Sequence, residues 1–181
     1  QSLTGKLLVA SPILVDPNFD RTVVLVCAHD ANGAFGVVLN RPILASVAPQ
    51  LRAWTLPLSD PDVMFQGGPV EPTAALLIAE CPELEAGEWL MQPLPGLGVL
   101  PLADVEAPPG RLRRARLFSG YAGWGAGQLD GEVLGEAWFV VDATPADVFD
   151  GDPDAMWRRV LRRQPGELAM YAFFPSDPAA N

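Results

Sequence analysis

The chain has 181 residues, with 12 Lys and Arg against 22 Asp and Glu, which gives a formal charge of −10 at pH 7. A 49% hydrophobic content excludes a disordered acidic chain, and the acidic balance opposes the phosphate-driven part of nucleic-acid binding. The 17 Gly and 19 Pro follow no collagen-like period and point instead to many turns.

In chain order, the apolar run Leu7-Leu8-Val9-Ala10 predicts a buried strand, and the Pro- and Asp-rich stretch from Ser11 to Asp20 a loop. Thr22 to Ala28 is β-branched and continuously apolar, the pattern of a strand covered on both faces. Asn32-Gly33 marks a turn before the next strand, Phe35 to Leu39, with a hairpin loop expected to exceed two residues. A short helix is expected between Leu44 and Leu56, strand pieces at Val63-Met64-Phe65 and Ala75 to Ala79, and a tight turn at Gly67-Gly68-Pro69-Val70. Residues 81–110 predict irregular structure around one hairpin or short helix. Arg116-Leu117-Phe118 leads into a glycine-rich segment, Gln128 to Leu134 reads as a helix and Ala137 to Val141 as a strand. The best helix follows Asp152-Pro153, an N-cap and a first-turn proline. Met156, Trp157, Val160 and Leu161 form its core stripe, Arg158 and Arg162 its solvent face, and Pro165-Gly166 its stop. With no repeat and no linker, the expected fold is α+β. One compact domain over residues 1–181 would carry a mixed β-sheet core and short flanking helices, burying Val23, Leu25, Val37, Leu39, Leu77, Phe118, Trp138 and Val140.

Few residues suggest chemistry. Cys27 and His29 stand two apart on a strand, which places both side chains on one face, where the imidazole would favour thiolate. The competing reading is a buried Cys packed as a small apolar group. Segment Ser119 to Leu129 lies between a strand and a helix, as phosphate loops do, yet it matches neither GxGxxG nor Walker A. It reads better as a sharp strand-to-helix turn with Trp124 packed over it. Eight of the 12 basic residues fall in two clusters, Arg111, Arg113, Arg114 and Arg116, and Arg158, Arg159, Arg162 and Arg163. Neither is interleaved with aromatic residues, so direct nucleic-acid contact is not expected. Two Cys and one His exclude Cys₄ and Cys₂His₂ zinc sites within one chain; no metal and no other cofactor is expected. No run approaches the ~18 apolar residues of a membrane span and the N-terminus lacks a signal-peptide pattern, so a cytoplasmic location away from membranes is expected.

Taken together, several motifs resemble the bacterial AlgH/YqgE family. They are Gly5 to Pro12, Asp16 to Val23, Cys27-Ala28-His29-Asp30, Gly33 to Pro42, Gly67-Gly68-Pro69-Val70, and Gly120 to Asp130 with Glu132 and Trp138. The resemblance implies a mixed α/β fold in proteins catalogued as uncharacterised, or as transcriptional regulators after a genetic link to alginate production, with no established reaction or cofactor. Ala28 and Ala79 depart from it, standing where relatives commonly carry Glu and His. The shared motifs group Cys27, His29, Asn40, Arg41, Gly67, Gly68, Gly123, Trp124, Gly125 and Gln128 as a candidate pocket, to which Asp30 or Asp130 would supply any acid. The favoured function is indirect regulation through an unidentified small molecule or protein partner, without turnover. The alternative is a thiol-dependent or small-molecule-binding enzyme centred on Cys27 and His29.

Overall fold

The apolar runs pair into a single nine-stranded sheet in the computed structural model, which describes residues 1–43, 47, 51, 54–83, 87, 89–103 and 111–176. The strands are β1 (Lys6–Ala10), β2 (Val23–Asp30), β3 (Gly33–Val38), β4 (Met64–Gln66), β5 (Val70–Glu80), β6 (Met91–Leu94), β7 (Leu97–Pro101), β8 (Arg114–Gly125) and β9 (Trp138–Asp142). Their spatial order is β6-β7-β5-β8-β3-β2-β1-β9, antiparallel throughout, with β4 added parallel to β8. Among the described residues, three short α-helices, α1 (Gln128–Leu134), α2 (Pro145–Phe149) and α3 (Met156–Arg162), complete an α+β fold.

Period-2 alternation sorts β2 between two cores. Val23, Leu25 and Cys27 join Leu7, Val37 and Phe118 on one face; Val24 and Val26 join Leu8, Val38 and Trp138 on the other. Both faces are covered along Val23 to Cys27, which is why that stretch is apolar throughout. A third cluster, with Leu77, Leu100 and Leu117, occupies the β5-β7-β8 end. Asp152 caps the turn before α3 by accepting from the Asp154 N–H. Trp157, Val160 and Leu161 are buried on the sheet, and the Trp157 Nε1–H donates to the Ala10 carbonyl at 2.8 Å.

Several expectations change. The β2-β3 loop has only two residues, Ala31 and Asn32, between the paired Asp30 and Gly33. The glycine segment as far as Gly125 belongs to β8; the strand-to-helix turn is confined to Ala126 and Gly127, where Gly127 has φ 71°. Val140 is half-buried, whereas the other predicted core residues are buried. Arg158 is half-buried and donates to the Ala172 carbonyl at 2.7 Å, so it does not simply face water. The hairpin predicted within residues 81–110 is β6-β7. The helix expected between Leu44 and Leu56 lies largely outside the described residues.

Two local devices hold the strands in place. β8 pairs with β4 through Ser119 and with β3 from Ala122 onward, while its pairing with β5 runs on to Tyr121. Gly120 sits at this change of partner with φ 75°, and a Cβ there would stand 2.5 Å from the Gly68 carbonyl oxygen. Arg116, also on β8, is 3% exposed, and among the described residues it makes no salt bridge. Its guanidinium lies 4.2 Å from the Phe65 ring centroid and donates to the carbonyls of Val148, Phe149, Asp60 and Pro61. Burial lowers its pKa to about 10, so the group remains a cation at neutral pH.

Gly120→Ala should lower stability by about 1–3 kcal/mol through backbone strain alone. Gly131→Ala, inside α1 with open space at its Cβ, should raise it by roughly 0.5–1 kcal/mol. Urea titration distinguishes the two. Arg116→Ala should cost about 3 kcal/mol or more by leaving buried carbonyls without a donor. Arg116→Lys should recover only part of this, because one ammonium does not span both loops. An unchanged urea midpoint for Arg116→Ala would contradict the role assigned to that side chain.

Candidate functional site

Cys27 and His29 do not share a face. The β2-β3 register shifts between Val26 and Ala28, a bulge at Cys27 that breaks the two-residue alternation. Ala28 stands opposite Phe35, which packs on the first core, while His29 stands opposite Ala34, which packs on the second. Cys27 itself is 2% exposed in the first core, its thiol 3.7 Å from the Leu25 carbonyl oxygen. Burial pushes the thiol pKa well above its ordinary range.

His29 lies at the other surface beneath the N-terminal residues. Its Nδ1 accepts from the Leu3 N–H at 3.1 Å, which leaves the neutral ring's proton on Nε2, 3.6 Å from Asp130 Oδ2. Ser2 and Thr4 bond the His29 backbone on either side. Gln1, Ser2, His29, Asp30, Ala31 and Asp130 line a shallow depression of which Cys27 is not a part.

The remaining members of the candidate set mostly brace the backbone. Asn40 accepts from the Val23 N–H and donates to the Arg21 carbonyl. Arg41 donates to the carbonyls of Asn18 and Asp20. Gly67 and Gly68 allow their segment to press against Gly120 and Tyr121. Gln128 Oε1 accepts from the Gly125 N–H, and its Nε2 donates to Glu132. Glu132 also receives the indole N–H groups of Trp124 and Trp138, each at 2.9 Å. Trp124, Gly125, Gln128 and Glu132 thus form one clamp over α1, Gly123 continues the strand beside it, and Cys27 lies on the opposite face of the sheet.

A concave apolar site occurs elsewhere. Between Val70, paired with Tyr121, and Ala75, paired with Ser119, β5 carries residues 71–74 while β8 carries Gly120 alone. The surplus chain rises from the sheet, and Glu71 takes a left-handed φ of 44°. The resulting cavity of about 540 Å³ is lined by Phe35, Leu51, Glu71, Thr73, Ala74, Ala75, Leu76, Leu90, Pro101, Leu102, Ala103 and Tyr121. Phe35 and Tyr121 stack with centroids 4.5 Å apart and planes inclined by 27°. Leu90, 64% exposed, stands at the mouth. Sequence reading missed the site by starting the strand at Ala75. The available signal was Pro72, a residue that cannot donate to a sheet ladder and so marks a departure from pairing.

The sequence profile of the AlgH-like family matches residues 7–169. A UPF0301 protein of Streptomyces avermitilis is 49% identical over 187 residues, covering 99% of this chain and 96% of that protein. A UPF0301 protein of Thermobifida fusca is 45% identical over 197 residues, with the same coverage. The crystal structure of a Corynebacterium diphtheriae protein superposes with TM-score 0.82 at 28% identity, covering 94% of this chain and 91% of that one. The solution structure of the AlgH protein from Pseudomonas aeruginosa gives TM-score 0.71 at 27% identity, covering 97% and 95%. Family profile, relatives along nearly the whole chain and a shared sheet agree: this chain belongs to the AlgH-like family.

Proposed function

We propose that this protein acts by binding rather than by turnover, as an indirect regulator whose partner or small-molecule ligand occupies the cavity beside β5. The carrying observation is the cavity itself. It is concave, mostly apolar, within the size range of small-molecule sites, and bordered by a strained residue. The thiol-enzyme alternative loses support because Cys27 is enclosed in the core, separated from His29 by the bulge. Direct contact with nucleic acid also lacks support, since five of the eight clustered arginines, Arg114, Arg116, Arg158, Arg159 and Arg163, are engaged within the protein. Arg114 pairs with Glu80 and Asp150, Arg163 pairs with Asp147, and Arg159 holds the carbonyls of Asp150 and Asp152. No helix among the described residues is long and apolar enough to cross a membrane.

Native mass spectrometry of protein purified from cells tests the binding reading. The wild type should retain a molecule that Ala74→Trp, which fills the cavity from its wall, releases. Retention of nothing, or equal retention by both proteins, would overturn it. The thiol is tested by alkylation between pH 6 and 9. Because burial raises the folded-state pKa, the native thiol stays protonated across this window and Cys27 should react slowly at every pH, with no change in His29→Ala. The sign for stability follows: the unfolded thiol ionises first, so the Cys27 contribution is level below the ordinary thiol pKa and declines above it, by at most about 1.4 kcal/mol per pH unit. Fast native alkylation that slows in His29→Ala would restore the enzyme reading.

A further inference from the structure

We infer that the β5 cavity selects a flat aromatic molecule carrying a positive charge, a protonated aromatic amine in its simplest form. The inference rests on the binding reading above and deepens it. The stacked Phe35–Tyr121 pair lines the cavity, and an added ring can continue such a stack in an offset or edge-to-face arrangement. Ring faces carry partial negative charge, so the same pair favours a cation held close to it. Leu76, Leu102 and Pro101 supply the apolar walls that a planar body requires. Among the described lining residues Glu71 is the one charged group, and no Lys or Arg accompanies it. An anionic ligand would therefore meet a carboxylate with no cation beside it among the described lining residues, within a protein of formal charge −10. Glu71 also holds the left-handed φ of 44°. A non-glycine residue keeps that conformation only where the surrounding structure imposes it, and here the imposed conformation is at the rim of the cavity. Thr73, beside it on the same excursion, offers a hydroxyl that can accept from an ammonium group or donate to a polar substituent.

The test is an NMR titration of the full chain with three indole probes that differ in charge: tryptamine, a cation; indole, neutral; and indole-3-propionate, an anion. Tryptamine should shift the amides of Phe35, Ala75, Leu76 and Tyr121, and should bind at least about fivefold more tightly than indole-3-propionate. Glu71→Gln, a change at an exposed position, should keep the fold and reduce that preference by about two- to fivefold. Glu71→Lys should reverse it. Tyr121→Leu should weaken all three probes together. Equal affinity for cation and anion, shifts confined to another surface, or no binding of any probe would overturn the assigned ligand class. If native mass spectrometry still shows a cavity-dependent bound molecule while tryptamine is refused, only the ligand class fails; if neither is seen, both readings fail.

Discussion

The sheet depends on one strand changing partners. β8 is long enough to pair with β5 from Arg114 to Tyr121 while its other partner changes from β4, through Ser119, to β3, from Ala122, so it joins the two ends of the molecule. The change happens at Gly120, where backbone approaches backbone too closely for any side chain and the chain takes a positive φ. The cavity follows from the same constraint. β8 crosses this point with a single residue while β5 spends residues 71–74, and the unequal lengths force β5 outward. A concave surface lined by Phe35 and Tyr121 is what remains beneath the displaced chain.

A second irregularity decides which chemistry is available. In an unbroken strand, Cys27 and His29 would project together. The bulge at Cys27 inserts one residue into that alternation, so the thiol stays with Leu25 in the first core while the imidazole lies covered beside Asp130. The two residues stay close in sequence yet are separated by the sheet. Desolvation then keeps the thiol neutral, which suits a packing role. The Asp130 carboxylate does stand near His29, so the acid anticipated for a Cys-His-acid arrangement is present while its nucleophile faces away.

Arginine has a specific task in this acidic chain. Loops rich in proline expose carbonyl groups while lacking some of the N–H groups that would normally satisfy carbonyls. A guanidinium offers five donors in a fixed plane. Arg116 gathers the 60–61 and 148–149 carbonyls, Arg41 those of Asn18 and Asp20, and Arg158 those of Ala172 and Phe174. Arg21 lies 4.4 Å from the Trp157 ring centroid and donates to the Phe174 carbonyl. Several positive charges that look like surface clusters in the sequence, Arg116 and Arg158 among them, are therefore spent as internal struts.

The family, the α+β class, most strands, α1 and the capped helix around Trp157 are legible in the sequence, because each rests on local rules. A continuous β-branched run makes a strand buried on both faces, and Asp152-Pro153 starts a helix whatever lies nearby. The glycine segment was harder to read. Glycine signals an unusual backbone without saying whether the cause is a turn or a close crossing, and only the contact between Gly68 and Gly120 shows that it is a crossing. The Cys27–His29 separation was hidden because a bulge leaves alternating apolar residues looking regular. The cavity was hidden because it arises from a mismatch between two strands about 50 residues apart. Local sequence determines which segments extend, coil or cap; pairing between distant segments decides register, and register decides which side chains share a face.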